Sequence, residues 1–392
     1  MKRLFCLCLV FVFVLSFASC KRQVNNKSPI PSYVSDADPL KEEIDALLNS
    51  LTIEEKISQM LITEVKNGQT LLSPAPGGII LFEENFSSCK ATAKFIKELK
   101  NQSRLPLIVS VDQEGGKVQR LKNLHSPKAT NIPSMYYLGK TNDTFLAFET
   151  GRVMAAEMGA LGINVTFAPV LDIYSNPNNK VIGKRSFSEN PDTVSDMAIN
   201  LANGLEATGV YATYKHFPGH GDTATDSHIK LPVIRKTKAQ LYKEELIPFK
   251  NAIENGAKII MVGHIALPEI TGDNTPATLS KEIITDLLIK EMGFEGLIVT
   301  DALNMGALTK NFSEEEIYKM TVEAGTDLLL MPQDPLLAVK VIKENFSQDR
   351  INESVRKILY FKLKYLSEIP DYDISAIGSK EHREIINKIP EQ

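Results

Sequence analysis

Lys258–Ile265 reads KIIMVGHI, Gly296–Asp301 reads GLIVTD and Thr326–Met331 reads TDLLLM. Each is a short, nearly continuous apolar run, the pattern of a strand buried on both faces; a strand with one wet face would alternate. The segments between them carry helix punctuation. Ser280 stands where it caps a helix ending before Gly293, Ser313 with Glu316 forms a capping box, and Asp334-Pro335 sets a cap ahead of proline at the first helical position. The same alternation recurs upstream at Ile57–Val65, Gly77–Phe82, Pro106–Asp112, Asn164–Ile173 and Gly209–His216, giving eight strand runs, each followed by a segment of helical spacing. Such a βαβα series implies a parallel sheet covered by helices, and eight repeats predict closure into a single TIM-type (β/α)8 barrel of the α/β class. The first run holds a conflict, because Thr52 with Glu55 also caps a helix running into it.

The ends of the 392-residue chain read differently. Lys2 and Arg3 precede an apolar stretch from Leu4 to Phe17 that closes on Ala18-Ser19-Cys20. It is too short for a membrane span and reads as a signal peptide over residues 1–19, of the lipoprotein type, with Cys20 as the acylated residue. Phe17 departs from the usual Leu of that pattern. Residues 20–39 are the lipidated cysteine and a polar tether, 40–369 the barrel, and 370–392 a polar tail. With Cys6 and Cys8 removed and Cys20 acylated, only Cys89 remains, so no internal disulfide forms and the 43% apolar composition must supply the core. A formal charge of -4 without a basic block gives no argument for nucleic acid, and neutral substrates fit best.

In a parallel barrel the chemistry sits at the C-terminal ends of the strands. Asp112, Asp172, Lys215 with His216, His264 and Asp301 all fall there. Charged groups at the ends of buried strands are costly unless paired or functional, and their convergence on one rim predicts a polar site. The densest segment is Lys215-His216-Phe217-Pro218-Gly219-His220-Gly221-Asp222-Thr223, continuing to Asp226-Ser227-His228. Pro218, Gly219 and Gly221 forbid the helix that would put His216 and His220 on one face, so no metal site is expected; His220 and Asp222 read as ties within a glycine-rich loop. Asp226 stands two residues from His228 and could accept its N–H and raise its basicity, although the same spacing suits a solvated turn. Asp301, at the tip of an apolar strand, could attack an anomeric carbon or cap the following helix.

These segments resemble glycoside hydrolase family 3, in its single-domain NagZ-type β-N-acetylglucosaminidase branch. The likeness runs from Leu51-Thr52-Ile53-Glu54-Glu55-Lys56 through Gly77–Phe82, Asp112-Gln113-Glu114-Gly115-Gly116, Ala168–Asp172 and Ile182–Phe187 to Thr300-Asp301-Ala302. Its most specific part is the Lys215–Thr223 loop followed by Asp226-Ser227-His228. The resemblance implies a retaining hydrolase releasing terminal β-linked N-acetylglucosamine from oligosaccharides or peptidoglycan fragments, with Asp301 as nucleophile and His228, oriented by Asp226, as acid/base. It also implies that Asp112, Arg120, Arg185, Lys215 and His216 hold the terminal sugar. The larger branch draws an acidic Glu from a second domain, for which the roughly ninety residues after Asp301 leave no room. His264 keeps an open role.

No cofactor or metal is expected, and the partners expected are a carbohydrate substrate and a membrane reached through the lipid anchor only, with the protein a monomer in the bacterial cell envelope. Two other readings remain. A β-N-acetylglucosaminide phosphorylase is one, since a His acid/base does not repel incoming phosphate as a carboxylate would. A non-catalytic cell-wall-binding lipoprotein is the other.

Overall fold

The computed structural model describes residues 38–223, 230–367 and 373–390. Cys20, Asp226 and His228, and the whole signal segment, lie outside the described residues.

Among the described residues the eight barrel strands are β1 (Leu61–Glu64), β2 (Gly78–Leu81), β3 (Ile108–Val111), β4 (Val165–Thr166), β5 in two pieces (Tyr211–Ala212 and Tyr214–Phe217), β6 (Ile259–Val262), β7 (Leu297–Thr300) and β8 (Leu329–Leu330). All neighbours pair in parallel. The register runs Ile62↔Gly78, Gly78↔Ile108, Val111↔Thr166 and Val165↔Tyr211, then Tyr214↔Ile260 and Leu297↔Ile259. The ring closes where Val299 bridges Leu328 and Leu61 pairs with Leu329. The expected TIM-type barrel is what forms. Its strands are buried on both faces, β2, β3, β6 and β7 along their entire length, which is why they lack alternation in sequence.

Two features differ from the expectation. The first run was expected to be strand from Ile57, but Ile57–Gln59 end a helix, Ile53–Gln59. Thr52 Oγ1 accepts from the Glu55 N–H and the Glu55 carboxylate accepts from the Thr52 N–H, so the capping box decides the segment and the strand starts at Leu61. The second difference is that no helix lies between β1 and β2; Val65–Gly77 is a loop over the C-terminal rim. It returns to the barrel at Gly77, where a Cβ would come within 1.9 Å of the Gln59 carbonyl oxygen, so the close return requires glycine.

Residues 373–390, read as a polar tail, pack on the barrel. A helix at Lys380–Ile386 buries Ile386, and Ile377 and Ile389 are buried beside it. Glu157 fixes this segment, accepting from Thr130 Oγ1 (2.6 Å), the Thr130 N–H (2.9 Å) and the Gly378 N–H (2.9 Å), and pairing with His382 Nδ1 at 3.0 Å. The Gln348–Tyr365 helix packs on Lys41–Ser50 and Ile53–Gln59.

Candidate active site

The strand ends deliver Asp112, Lys215, His216 and Asp301 to one cavity of about 250 Å³ on the C-terminal rim, with Asp172 and His264 buried outside its lining. Its walls are apolar, with Ile80, Phe82, Phe167, Met261 and Leu330, and its charged groups converge from β3, the loop after β4, β5 and β7. This is the usual composition of a site for a small polar ligand, namely apolar sides with a few placed hydrogen-bonding groups.

On one side lies a buried charge network. Beyond β3, Asp112 leads into a hairpin, Gln113–Gly115 with Val118–Gln119, that carries Glu114 inward. Arg185, on a turn at Gly183–Arg185, grips Glu114 with both ends of its fork: Nε to Oε2 at 2.7 Å and Nη2 to Oε1 at 2.8 Å. Lys215 Nζ lies 2.8 Å from Asp112 Oδ1 and 2.6 Å from Glu114 Oε1. Burial raises the Glu114 carboxyl, but Arg185 and Lys215 outweigh it and hold the group well below the usual carboxylate range. Conversely, burial lowers Lys215 and Arg185 while their carboxylates carry both above their ordinary values. Lys215 and Arg185 with Glu114 therefore stay ionised without water, held by mutual pairing. Arg120 covers the mouth, with Nη1 3.1 Å from Glu83 Oε1, Nη2 3.9 Å from Asp112 Oδ2, and its guanidinium 5.7 Å from the Phe82 ring centre.

His216 is oriented from beneath. Its Nδ1 donates to Asp172 Oδ2 at 2.6 Å, which leaves the Nε2 edge for the cavity that the ring lines. Asp172 is wholly buried and also accepts from the backbone N–H of His216 (3.3 Å) and His220 (2.6 Å). Burial raises it, yet the two histidines hold its carboxyl below the ordinary value.

His220 Nδ1 meets Thr223 Oγ1 at 2.8 Å, Asn179 Nδ2 donates to the His220 and Gly221 carbonyls, and Asp222 pairs with Lys236 at 3.1 Å. These are the loop ties expected of His220 and Asp222. At Gly221 a Cβ would stand 1.7 Å from the Ile173 carbonyl oxygen, so the loop lies directly on the connection that follows β4.

Across the cavity, Asp301 follows β7 with its N–H on the Val262 carbonyl (2.9 Å) and its Oδ1 accepting from the Ala302 N–H (2.8 Å). Burial raises this carboxyl, and His264, His216, the Ala302 N–H and Lys215 together bring it below its ordinary value, so it is an anion at neutral pH. His264, wholly buried, places its Nε2 2.9 Å from the Ala302 carbonyl and its Nδ1 2.8 Å from Thr278 Oγ1. A carbonyl only accepts, so Nε2 carries the proton, and His264 fixes the peptide that follows Asp301.

The structure therefore brings Asp112, Arg120, Arg185, Lys215, His216 and Asp301 to one cavity. Sequence reasoning missed Glu114 as the hub of the network and Asp172 as the group that orients His216. Asp172 showed a signal, a carboxylate at a strand end; Glu114 showed only its place before Gly115-Gly116. Among the described residues no three His, Cys, Asp or Glu side chains are grouped to hold a metal ion.

A closed parallel barrel with an ionised carboxylate facing an array of paired cations and anions defines the chain as a barrel enzyme suited to a polyhydroxylated ligand. The chain belongs to glycosyl hydrolase family 3: the model of that family's N-terminal domain matches residues 52–361. A curated β-hexosaminidase of Nitrosospira multiformis is 36% identical over 280 residues, 70% of this chain and 78% of that one. β-Hexosaminidase A of Pseudoalteromonas piscicida is 33% identical over 79% of this chain, which spans 57% of that longer relative. Among solved structures, a family 3 β-N-acetylglucosaminidase from Paenibacillus sp. str. FPU-7 superposes with a TM-score of 0.80 and 34% identity, covering 87% of this chain and 68% of that one.

Proposed function

We propose that the protein is a retaining glycoside hydrolase that releases terminal, non-reducing β-linked N-acetylglucosamine. The observation that carries this reading is the ionised Asp301 facing the Asp112–Glu114–Lys215–Arg185 network across a cavity sized for one sugar ring. Asp112, Lys215, Arg185 and the Nε2 edge of His216 hold the ring's hydroxyls, since paired cations and carboxylates offer donors and acceptors to neighbouring O–H groups at once. Arg120 closes the mouth over the ring. The names of the relatives support the N-acetylated sugar.

With the sugar so held, an Asp301 oxygen attacks the anomeric carbon as the bond to the leaving oxygen breaks, and His228 gives its proton to that oxygen. Asp226 orients His228. In the second half, His228 takes a proton from water, the water oxygen attacks the same carbon, and the bond to Asp301 breaks. Two displacements keep the β configuration. An N-terminal lipid on Cys20 would hold the monomeric enzyme in the cell envelope.

The test is turnover of an aryl β-N-acetylglucosaminide compared with the aryl β-glucoside, for wild type and Asp301→Ala. Hydrolysis of the N-acetyl substrate with the β anomer formed first, and a loss of at least about 10³-fold in kcat for the variant, is the expected result. Undiminished Asp301→Ala activity removes the nucleophile assignment. Sugar 1-phosphate as the main product in phosphate buffer assigns the site to a phosphorylase, and binding without turnover to a non-catalytic cell-wall-binding lipoprotein.

A further inference from the structure

We infer that Gln119 is a positioning residue for the sugar grip: it ties the hairpin carrying Glu114 to the Thr130–Ser134 segment, which Glu157 in turn locks to the C-terminal residues 373–390. The inference rests on the sugar-holding role given above to the network around Glu114.

The hairpin after β3 has little ladder of its own. Gln113 pairs with Gln119 and Gly115 with Val118, with a register shift between the two pairs, and so short a ribbon does not hold its own place in water. Its tip is seated instead on a neighbouring stretch of chain. A Cβ at Gly115 would come within 2.6 Å of the Pro133 carbonyl oxygen, and one at Gly116 within 2.3 Å of Ser134 Oγ, so the close approach requires both glycines. The Gly116 N–H donates to the Ile132 carbonyl at 2.8 Å.

Gln119, 4% exposed, closes this seam. Its Oε1 accepts from the Ile132 N–H at 3.1 Å, and its Nε2 shares its hydrogens among the Ile132 carbonyl (3.1 Å), Asn131 Oδ1 (3.1 Å) and the Gly116 carbonyl (3.0 Å). One amide thus grips the hairpin tip and the facing chain together, and removing it leaves buried groups on both sides unpaired. Glu114, on the same hairpin, is the carboxylate that Arg185 and Lys215 share, and small displacements of such a group are costly to a site that holds hydroxyls by direction.

The facing segment has its own anchor. Glu157, buried on the helix Thr144–Gly159, accepts from the Thr130 N–H and hydroxyl, and the same carboxylate accepts from the Gly378 N–H and pairs with His382. A Cβ at Gly378 would come within 2.0 Å of the Lys128 carbonyl oxygen, so the C-terminal segment lies directly on the chain leading to Thr130. Neither Gln119, Thr130, Glu157 nor His382 lines the cavity, yet a continuous run of contacts joins them to Glu114. Such a run carries coupling only if cutting it moves the far end, which a double-mutant cycle measures.

The experiment measures hydrolysis of the aryl β-N-acetylglucosaminide, calorimetric binding of free N-acetylglucosamine and thermal melting on the full-length protein. The variants are Q119M, E157Q, E114Q and each of the first two combined with E114Q. Q119M is expected to raise KM and the sugar Kd about tenfold with kcat changed less than about threefold, the mark of lost uniform binding. E157Q, which leaves Gln119 in place, is expected to raise both about threefold and is the second arm where Q119M does not fold. In the E114Q background either change is expected to move KM and Kd by less than about twofold, because the group being positioned is already altered. Wild-type KM and Kd in the single variants overturn the inference, whatever their melting temperatures. An equal fold rise with and without E114Q also overturns it, since a general loosening of the barrel acts in both backgrounds. Wild type that binds the sugar without turning over the glycoside removes the hydrolase reading, and the Kd values still decide the inference.

Discussion

Replacing Glu114 with glutamine keeps the side chain's shape and removes one charge from the centre of the network. In the wild type Arg185 and Lys215 are balanced by Glu114 and Asp112, and Glu114 accepts three charge-assisted bonds between 2.6 and 2.8 Å. Glutamine offers one acceptor oxygen and turns an NH2 toward a cation. Lys215 and Glu114 are 3% and 2% exposed, so water cannot compensate, and two cations are left facing one carboxylate. Removing one member of a buried pair costs about 3–5 kcal/mol. At roughly 2 °C per kcal/mol for a domain of this size, the melting temperature should fall by about 6–10 °C. Calorimetry with aryl-glycoside kinetics on the same preparation is the assay, with KM rising because the hydroxyl-holding groups lose their fixed positions. E114Q combined with Lys215→Met restores the charge balance and should be more stable than the sum of the single changes implies, by about 1–3 kcal/mol. A melting temperature within about 1 °C of wild type, or strict additivity in the double variant, would refute the network as described.

Lys362 is fully buried with Nζ 2.6 Å from Gln59 Oε1, and burial pushes its pKa down to about 7. The unfolded chain binds this proton up to about pH 10.5, so between about pH 7 and 10.5 the unfolded state holds more protons and stability should rise with pH. Lys362→Met should add about 1–4 kcal/mol at neutral pH and remove that rise, as read by urea melts across pH 6–10. For His264→Ala, which frees the peptide after Asp301, kcat should fall about 10–100-fold with KM little changed. Because His264 is among the groups that lower Asp301, the acid limb of the kcat/KM profile should also move to higher pH; an unmoved limb assigns His264 a purely packing role. Gly221→Ala forces its new methyl against the Ile173 carbonyl and should displace the loop that leads to His228, cutting kcat more than stability, which paired kinetics and thermal melts resolve.

The barrel was legible in the sequence because strands buried on both faces write their burial directly as runs such as GLIVTD and TDLLLM. The start of β1 was not, because the helix ending at Gln59 and the strand beginning at Leu61 share one apolar run, and only the Thr52–Glu55 box separates them. The helix expected after β1 does not form because Lys66–Pro76 carries Gly68, Pro74 and Pro76, which break helices, and its adjacent Leu71 and Leu72 line an open loop. At the site, Asp112, Lys215, His216 and Asp301 stood out as charges ending apolar strands. Glu114 did not, because it reaches the cavity from an irregular hairpin, and neither the turn geometry nor its fork to Arg185, 71 positions away, is written locally. Ile377, Ile386 and Ile389 are buried in the C-terminal segment, but so few apolar residues in a short polar stretch do not reveal that it packs on the barrel.

The central claim is that Asp301 becomes covalently bound to the sugar. A fluorinated N-acetylglucosaminide that forms the intermediate quickly and releases it slowly, followed by proteolysis and mass spectrometry, tests it most directly. The account requires one added sugar residue on the peptide that contains Asp301, absent in Asp301→Ala. An adduct on another carboxylate, or an unmodified protein that releases the α anomer from a β-linked substrate, would contradict it.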